Sequence, residues 1–378
     1  MNKKNISSLT TPSFLVNLDA LENNIKKYQN LADENLVELF PMLKTHKSSE
    51  ITKMQIEAGA KGVLVGTLDE AESVVKKSGV TKVMLAYPVI GDSNLDRIIA
   101  LSAQCDLFVA FDNEIPAIEL SKKLGTNTIN YQIIINSGLN RFGVSPEESV
   151  NLYNSLQKYP NLVFKGISTH TGQVYGFSKD YVNEITEKEI NIMTLAKNLL
   201  IENGATVEFV ATGTTPTFEN AIKSKEITVS RPGNYVFFDA IQVALGAAEE
   251  KDCALTVLAT VVSHPSEDLF ILDCGSKCLG LDQGAHGNSL TKGFGIVKNH
   301  PELTVIGLSE EVAKVKKEGP TALKIGDKIE IIPNHSCSAA NMTNYLIGHR
   351  AGTIEKIIEV DIRGNSRKIS IDQSLSLS

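Results

Sequence analysis

The chain has 378 residues, 42% of them hydrophobic and 21% charged, which leaves room for one large globular domain and a smaller one. Its formal net charge of -7 and pI near 5.6 argue against nucleic acid or an anionic membrane as a partner, while leaving room for a local basic pocket. No apolar stretch approaches the roughly 20 residues of a membrane span, and the first twelve residues lack the apolar core of a signal peptide. With five dispersed cysteines, this predicts a cytoplasmic protein with reduced thiols.

Short apolar runs alternate with helical stretches from about residue 36. The runs 36–44, 62–66, 82–87, 107–111, 131–136, 163–171, 207–212 and 227–231 predict strands. They are mostly continuous rather than alternating, as parallel strands covered on both faces should be. Thr67-Leu68-Asp69-Glu70 and Ser145-Pro146-Glu147-Glu148 read as capping boxes that open helices between them. About eight strand–helix units in about 200 residues is the arithmetic of a (β/α)8 TIM barrel; a doubly wound sheet is the competing architecture.

Beyond residue 253 the helical period disappears. Segments 255–263, 269–273, 304–308, 328–332 and 354–361 predict strands of a C-terminal, β-rich domain, into which Ser13–Leu18 is expected to pair. The fold class is therefore α/β, with domains at 19–252 and at 1–18 plus 253–378. The only low-complexity tract is the Ser/Leu-rich tail Ser374–Ser378.

Chemistry-bearing residues fall at one end of the strands. Lys44 ends the first run in Pro41-Met42-Leu43-Lys44-Thr45-His46-Lys47. A lysine there would be partly desolvated, which favours the nucleophilic amine, although a snorkelling strand-end lysine is the commoner case. Arg141 follows the fifth strand and His170 ends the sixth. Thr212-Gly213-Thr214-Thr215 follows the seventh and Arg231-Pro232-Gly233-Asn234-Tyr235 the eighth. The last two are turns whose N–H groups and hydroxyls suit a phosphate. Each alone is an ordinary turn; five converging on one face are not easily so.

These motifs resemble the D-threonine aldolase and D-serine dehydratase family, which is similar in fold to alanine racemase. The resemblance runs nearly the whole chain and includes Ser137–Gly143, His170-Thr171-Gly172, Arg231–Asp239, Asp282-Gln283-Gly284 and Pro333-Asn334-His335-Ser336-Cys337. It implies pyridoxal 5'-phosphate carried as a Schiff base on Lys44, which would also move the α-proton. Arg141 would contact the phenolic oxygen and His170 the ring, both catalytic Lys44 and His170 thus lying on the cofactor. Thr212, Gly213, Thr214, Gly233 and Asn234 would surround the phosphate with Tyr235 nearby, and Tyr175 completes the implied cofactor-binding set. Arg231 near the pyridine nitrogen would disfavour its protonation. His335 and Cys337 would hold a divalent metal, and an N,S pair suits zinc. If the segment is a strand, residues i and i+2 share a face. His349 is a further candidate ligand. Homodimerisation is implied as well.

The reaction implied is lysis of a D-3-hydroxy amino acid. A His-x-Cys pair favours D-serine dehydration to a 2-oxo acid and ammonia, with D-threonine aldolase-type cleavage to glycine and an aldehyde as the alternative. An amino-acid racemase would need a second acid/base, for which only Tyr345 is unassigned; a non-catalytic cofactor carrier would not need the β domain. Phe40, Met42 and Ser309-Glu310-Glu311-Val312 depart from the family at positions where polar groups are usual. Cys274 and Cys278 read as structural thiols, Lys277 as a solvated or phosphate-region lysine, and His46 and Lys47 as the start of a surface helix.

Overall fold

A computed structural model describes residues 4–284 and 290–364; the tail Ser374–Ser378 lies outside them. Strand β1 (Ser13–Asn17) precedes eight barrel strands: β2 (Glu38–Leu39), β3 (Val63–Val65), β4 (Lys82–Leu85), β5 (Asp106–Phe111), β6 (Ile129–Ile134), β7 (Leu162–Ser168), β8 (Phe209–Thr212) and β9 (Val229–Ser230). They pair in parallel in the order β2-β9-β8-β7-β6-β5-β4-β3. The ring closes just past β2, where Met42 bridges Leu64 and the Leu64 N–H reaches the Pro41 carbonyl at 2.9 Å. All eight runs predicted from sequence form strands, most of them shorter than the runs.

Helices α1 (Leu18–Glu34), α2 (Ser49–Glu57), α3 (Leu68–Ser78), α4 (Asp92–Ser102), α5 (Glu114–Leu124), α6 (Pro146–Leu156) and α7 (Val182–Glu202) jacket the barrel, with a short helix Phe218–Ala221 before β9. Strands such as β3 are buried at every residue because side chains enter the barrel on one face and meet helices on the other. The interior holds Phe40, Leu64, Met84, Phe108, Phe209, Ala211 and Val229. A Cβ on Gly62 would lie 2.4 Å from the Phe40 ring, so glycine there makes room for that ring.

The Ser145 capping box forms in full, with Pro146 at the first helical position. The Thr67 box forms only by half. Thr67 Oγ1 accepts the Glu70 N–H at 3.1 Å, but the Glu70 carboxylate accepts from Gly66 at 2.6 Å instead of turning back to Thr67.

The second layer is a nine-stranded sheet. Its later strands are β10 (Leu255–Ser266), β11 (Leu269–Leu272), β12 (Ile296–Val297), β13 (Leu303–Leu308), β14 (Ala313–Lys317), β15 (Lys328–Ile332), β16 (Tyr345–Arg350) and β17 (Thr353–Glu359). The order is β11-β14-β13-β12-β15-β10-β1-β16-β17, largely antiparallel, with β1 antiparallel to β10 and parallel to β16. Strands β12, β14 and β16 are additional to those expected; β14 alternates buried and exposed but is rich in lysine, which hides its apolar face. The fold is a parallel eight-stranded (β/α)8 barrel joined to this β-rich unit, as expected from the strand–helix count.

Candidate functional site

The first site element is a 3-10 turn, Leu43–Thr45, where β2 gives way at Pro41. Leu43 and Thr45 are buried while Lys44 is exposed between them, so the expected partial desolvation of Lys44 is not seen. His46 and Lys47 do not begin a surface helix: both are buried. His46 Nδ1 accepts from Ser48 N–H at 3.1 Å, and burial pushes its pKa down to about 4. Lys47 pairs with Glu70.

The loops after β7, β8 and β9 face this turn. His170 Nδ1 donates to the Gly213 carbonyl at 2.8 Å, which leaves Nε2 as the acceptor nitrogen. Burial, then the neighbouring Lys44 charge, hold its pKa well below the ordinary histidine value, so the ring is neutral. Arg231 is 6% exposed and gives one N–H to the Thr169 carbonyl at 2.7 Å. Burial lowers its pKa to about 10, opposed by Glu189. Gly213 fits because a Cβ there would meet the Arg231 backbone at 2.8 Å.

Glu189, on α7, is a site residue that sequence reading missed. It is fully buried behind the Gly213 loop, and burial raises its pKa to about 6 against the pull of Thr171, Thr217, the Gly213 amide and Arg231. None of the hydrogen-bonding groups reaches it at full hydrogen-bond geometry. A glutamate in the middle of a 21-residue amphipathic helix gives no local sign of facing inward.

The β-rich unit covers the opening. His335 and Cys337 do not lie on a strand: β15 ends at Ile332, His335 caps the short helix Ser336–Ala340, and Cys337 lies in its first turn. Their side chains are still close enough for each charge to act on the other. Burial alone would lower His335 and raise Cys337, but each charge favours the other; with Asp282 added, His335 is raised well above its ordinary value and Cys337 lowered. Cys337 Sγ is 3.2 Å from Thr45 Oγ1, which sets the pair beside the Lys44 turn. Asn341 Nδ2 donates to the Lys44 carbonyl at 3.1 Å and to the Cys337 carbonyl at 2.8 Å.

Asp239, buried, ties the two units together. One carboxylate oxygen accepts from Asn234 Nδ2 at 2.6 Å and from the Ser336 N–H at 2.9 Å; the other caps Gln242 at 3.0 Å. Its position at a helix N-cap was the sequence signal available for it.

A cavity of about 180 Å³ results, lined among others by Met42, Lys44, Arg141, His170, Tyr175, Gly213, Thr214, Thr215, Arg231, Gly233, Asn234, Asp239, Gln242, His335 and Cys337. Tyr235 is turned away from it: the ring stacks on Tyr28 with centroids 4.4 Å apart, and its hydroxyl accepts from Gln55 at 2.9 Å. Thr212, the last residue of β8, is fully buried and does not line the cavity. His349 sits on β16 near Glu330, Lys298 and Asp19 and does not line the cavity that holds His335 and Cys337. Of the departures, Phe40 is a barrel-core residue, Met42 lines the cavity, and 309–312 form an exposed turn where Glu311 pairs with Lys277. Tyr345 is exposed on β16, and Cys274 and Cys278 are buried free thiols.

The donor set suits a small anionic cofactor. Lys44, Arg141 and Arg231 supply cations on one side, and the Gly213–Thr215 and Gly233–Asn234 turns supply N–H and hydroxyl donors. Arg231 Nε, Thr212 Oγ1 and Asn234 Oδ1 are buried without a partner, which leaves polar capacity at the wall. Among the described residues no three His, Cys, Asp or Glu side chains converge on one point, so an ion could take two protein ligands here, His335 and Cys337. No helix of the described residues is long and apolar enough to cross a membrane.

The chain is similar to known proteins over most of its length. The chain is 29% identical over 371 residues to a D-serine dehydratase of Dictyostelium discoideum, covering 90% of this chain and 93% of the relative. It is 27% identical over 372 residues to a D-threonine aldolase of Arthrobacter sp, covering 96% and 95%. The solved D-threo-3-hydroxyaspartate dehydratase from Delftia sp. HT23 superposes with a TM-score of 0.87 at 26% identity, covering 94% of this chain and 99% of that one. Residues 254–348 match the family described as "Putative serine dehydratase domain". Residues 16–240, more than half of the chain, match the family "Alanine racemase, N-terminal domain", and the protein belongs to that family.

Proposed function

We propose that the chain is a pyridoxal-phosphate-dependent lyase of D-3-hydroxy amino acids that removes water from D-serine or a close analogue. The observation that carries it is the meeting, in one cavity, of Lys44, two phosphate-suited turns and the His335–Cys337 pair. The two dehydratases and the aldolase named above, each similar over 90% or more of the chain, support the class of reaction.

Pyridoxal phosphate at Lys44 supplies the electron sink that acidifies a substrate's α-C–H. The chain's residues divide the remaining work. Thr214, Gly213, Gly233 and Asn234 would hold the phosphate end, with Thr212 beside Gly213 in the chain, and Arg141 and Tyr175 would complete the cofactor-binding set. Lys44, exposed at the turn and lining the cavity, would be the base for an α-proton. His170, neutral and tied to Gly213, would lie against the cofactor ring without adding charge. Arg231, pinned by Thr169, stays a cationic donor and has no proton to give up readily. His335 and Cys337 would hold zinc, whose Lewis acidity acts on an oxygen at the β-carbon.

The same reading assigns the cofactor to a barrel of 19–252 and the metal pair to 1–18 plus 253–378. The free cysteines and the family resemblance support a cytoplasmic homodimer.

The test is the absorption spectrum of protein reconstituted with pyridoxal phosphate, before and after borohydride, with Lys44→Ala alongside. A reducible visible band lost in Lys44→Ala supports the cofactor assignment, and its absence in the wild type would sink it. D-Serine should then yield pyruvate and ammonia. Glycine from D-threonine with no pyruvate from D-serine would replace dehydration by retro-aldol cleavage.

A further inference from the structure

Asp282 follows the short helix Ser276–Leu279 and is held against the head of the helix Ser336–Ala340. Its backbone carbonyl accepts from Asn334 Nδ2 at 2.9 Å, and the same amide reaches the Gly293 carbonyl at 2.9 Å. Its Oδ2 lies 3.1 Å from His335 Nδ1 and accepts from Ser338 Oγ at 2.8 Å. Ser338 Oγ is itself 3.2 Å from that ring nitrogen. Both the backbone and the side chain of Asp282 are therefore committed to the segment that carries His335 and Cys337.

A carboxylate offers only lone pairs, so the hydrogen in the 3.1 Å contact belongs to Nδ1 of His335. Once an incoming ion displaces the other ring proton, the bare lone pair lies on Nε2, on the opposite edge. An imidazole that must bind an ion needs one nitrogen bare and the ring held against rotation.

We infer that Asp282 is a positioning residue for a metal ion held by His335 and Cys337, fixing the tautomer and rotation of His335 so that Nε2 meets the ion. This rests on the metal reading above. Asp282 acts through His335 and is not a third ligand, since no three such side chains converge among the described residues. Ser338 shares the task by holding the same carboxylate oxygen.

The test is zinc affinity of the full chain, measured by competition with a chromophoric chelator. Asp282→Asn and Asp282→Ala should bind zinc about 10- to 100-fold more weakly, the usual effect of losing such an outer partner, with one ion per chain retained. Ser338→Ala should show a smaller weakening of the same sign. Cobalt-loaded Asp282→Asn should keep the thiolate charge-transfer band, because Cys337 still binds; a merely structural change would move the melting temperature without this selective loss of affinity. Unchanged zinc affinity in the Asp282 variants overturns the inference, as does complete loss of the ion, which would make Asp282 a ligand. Wild-type protein that takes up no zinc would instead remove the metal reading, and this inference with it.

Discussion

Lys47 Nζ lies 3.0 Å from Glu70 Oε1, and the two side chains are only 9% and 1% exposed. The second Glu70 oxygen accepts the Gly66 N–H at 2.6 Å, while the Lys47 carbonyl accepts from Ile362 at 3.0 Å. Lys47 has φ of +45°, in the left-handed region that costs a side-chain-bearing residue energy, so these contacts hold it there. The pair thus braces the turn three residues past Lys44 against the end of β3.

Removing one member of such a pair strands a buried charge, at a cost of roughly 3 kcal/mol or more. Glu70→Leu should therefore lower the thermal unfolding midpoint by about 5 °C or more. The double variant Lys47→Met with Glu70→Leu should recover much of that loss. A single variant as stable as the wild type would show that the pair does not brace the turn.

Glu189 makes stability fall as pH rises. Its folded pKa, raised from 4.5 to about 6, means that the native state keeps a proton which the unfolded chain has already released. The penalty grows from about pH 4.5 through pH 6 and is complete above, worth about 2 kcal/mol. Glu189→Gln cannot titrate. The midpoint difference between pH 4.5 and about 7.5 should shrink in that variant, and an unchanged difference would assign the slope to other groups.

Asn341 joins the Lys44 carbonyl to the Cys337 carbonyl across the gap between the two units. Asn341→Leu removes both donors near the reacting groups while leaving the core intact. We expect kcat on D-serine to fall about tenfold, the effect of slight misplacement, with KM changed less. Equal kcat would show that the turn holds Lys44 without this link.

Chelation should remove activity and zinc should restore it, without changing the far-ultraviolet circular dichroism. Cys337→Asp replaces a soft ligand by a hard one and should shift the preferred ion from zinc towards manganese or magnesium. Activity indifferent to chelators would leave Lys44 chemistry without metal assistance.

Much of the barrel was legible from local pattern. Parallel strands covered on both faces are largely continuous apolar runs, so β3 and β5 stand out, and a polar residue that ends such a run is expected at the barrel's mouth. That is why Lys44, Arg141, His170 and Arg231 could be grouped on one face. The nine-stranded sheet was less legible, because half-exposed strands such as β14 carry lysines on their outer face and short ones such as β12 span two residues.

The sequence by itself determined the repeating strand–helix order, a lysine shortly after the first barrel strand and the motifs that mark the family. Only the tertiary structure decided that His335 and Cys337 meet from a helix start, that Tyr235 turns into the core, that Lys47 is buried on Glu70, and that Asp239, Asp282 and Glu189 stand around the site. The physical reason is range. Strand and helix patterns are set by neighbours within a few residues, whereas Cys337 meets Thr45 and Asn341 meets Lys44 across nearly 300 residues of chain, where only packing brings the partners together.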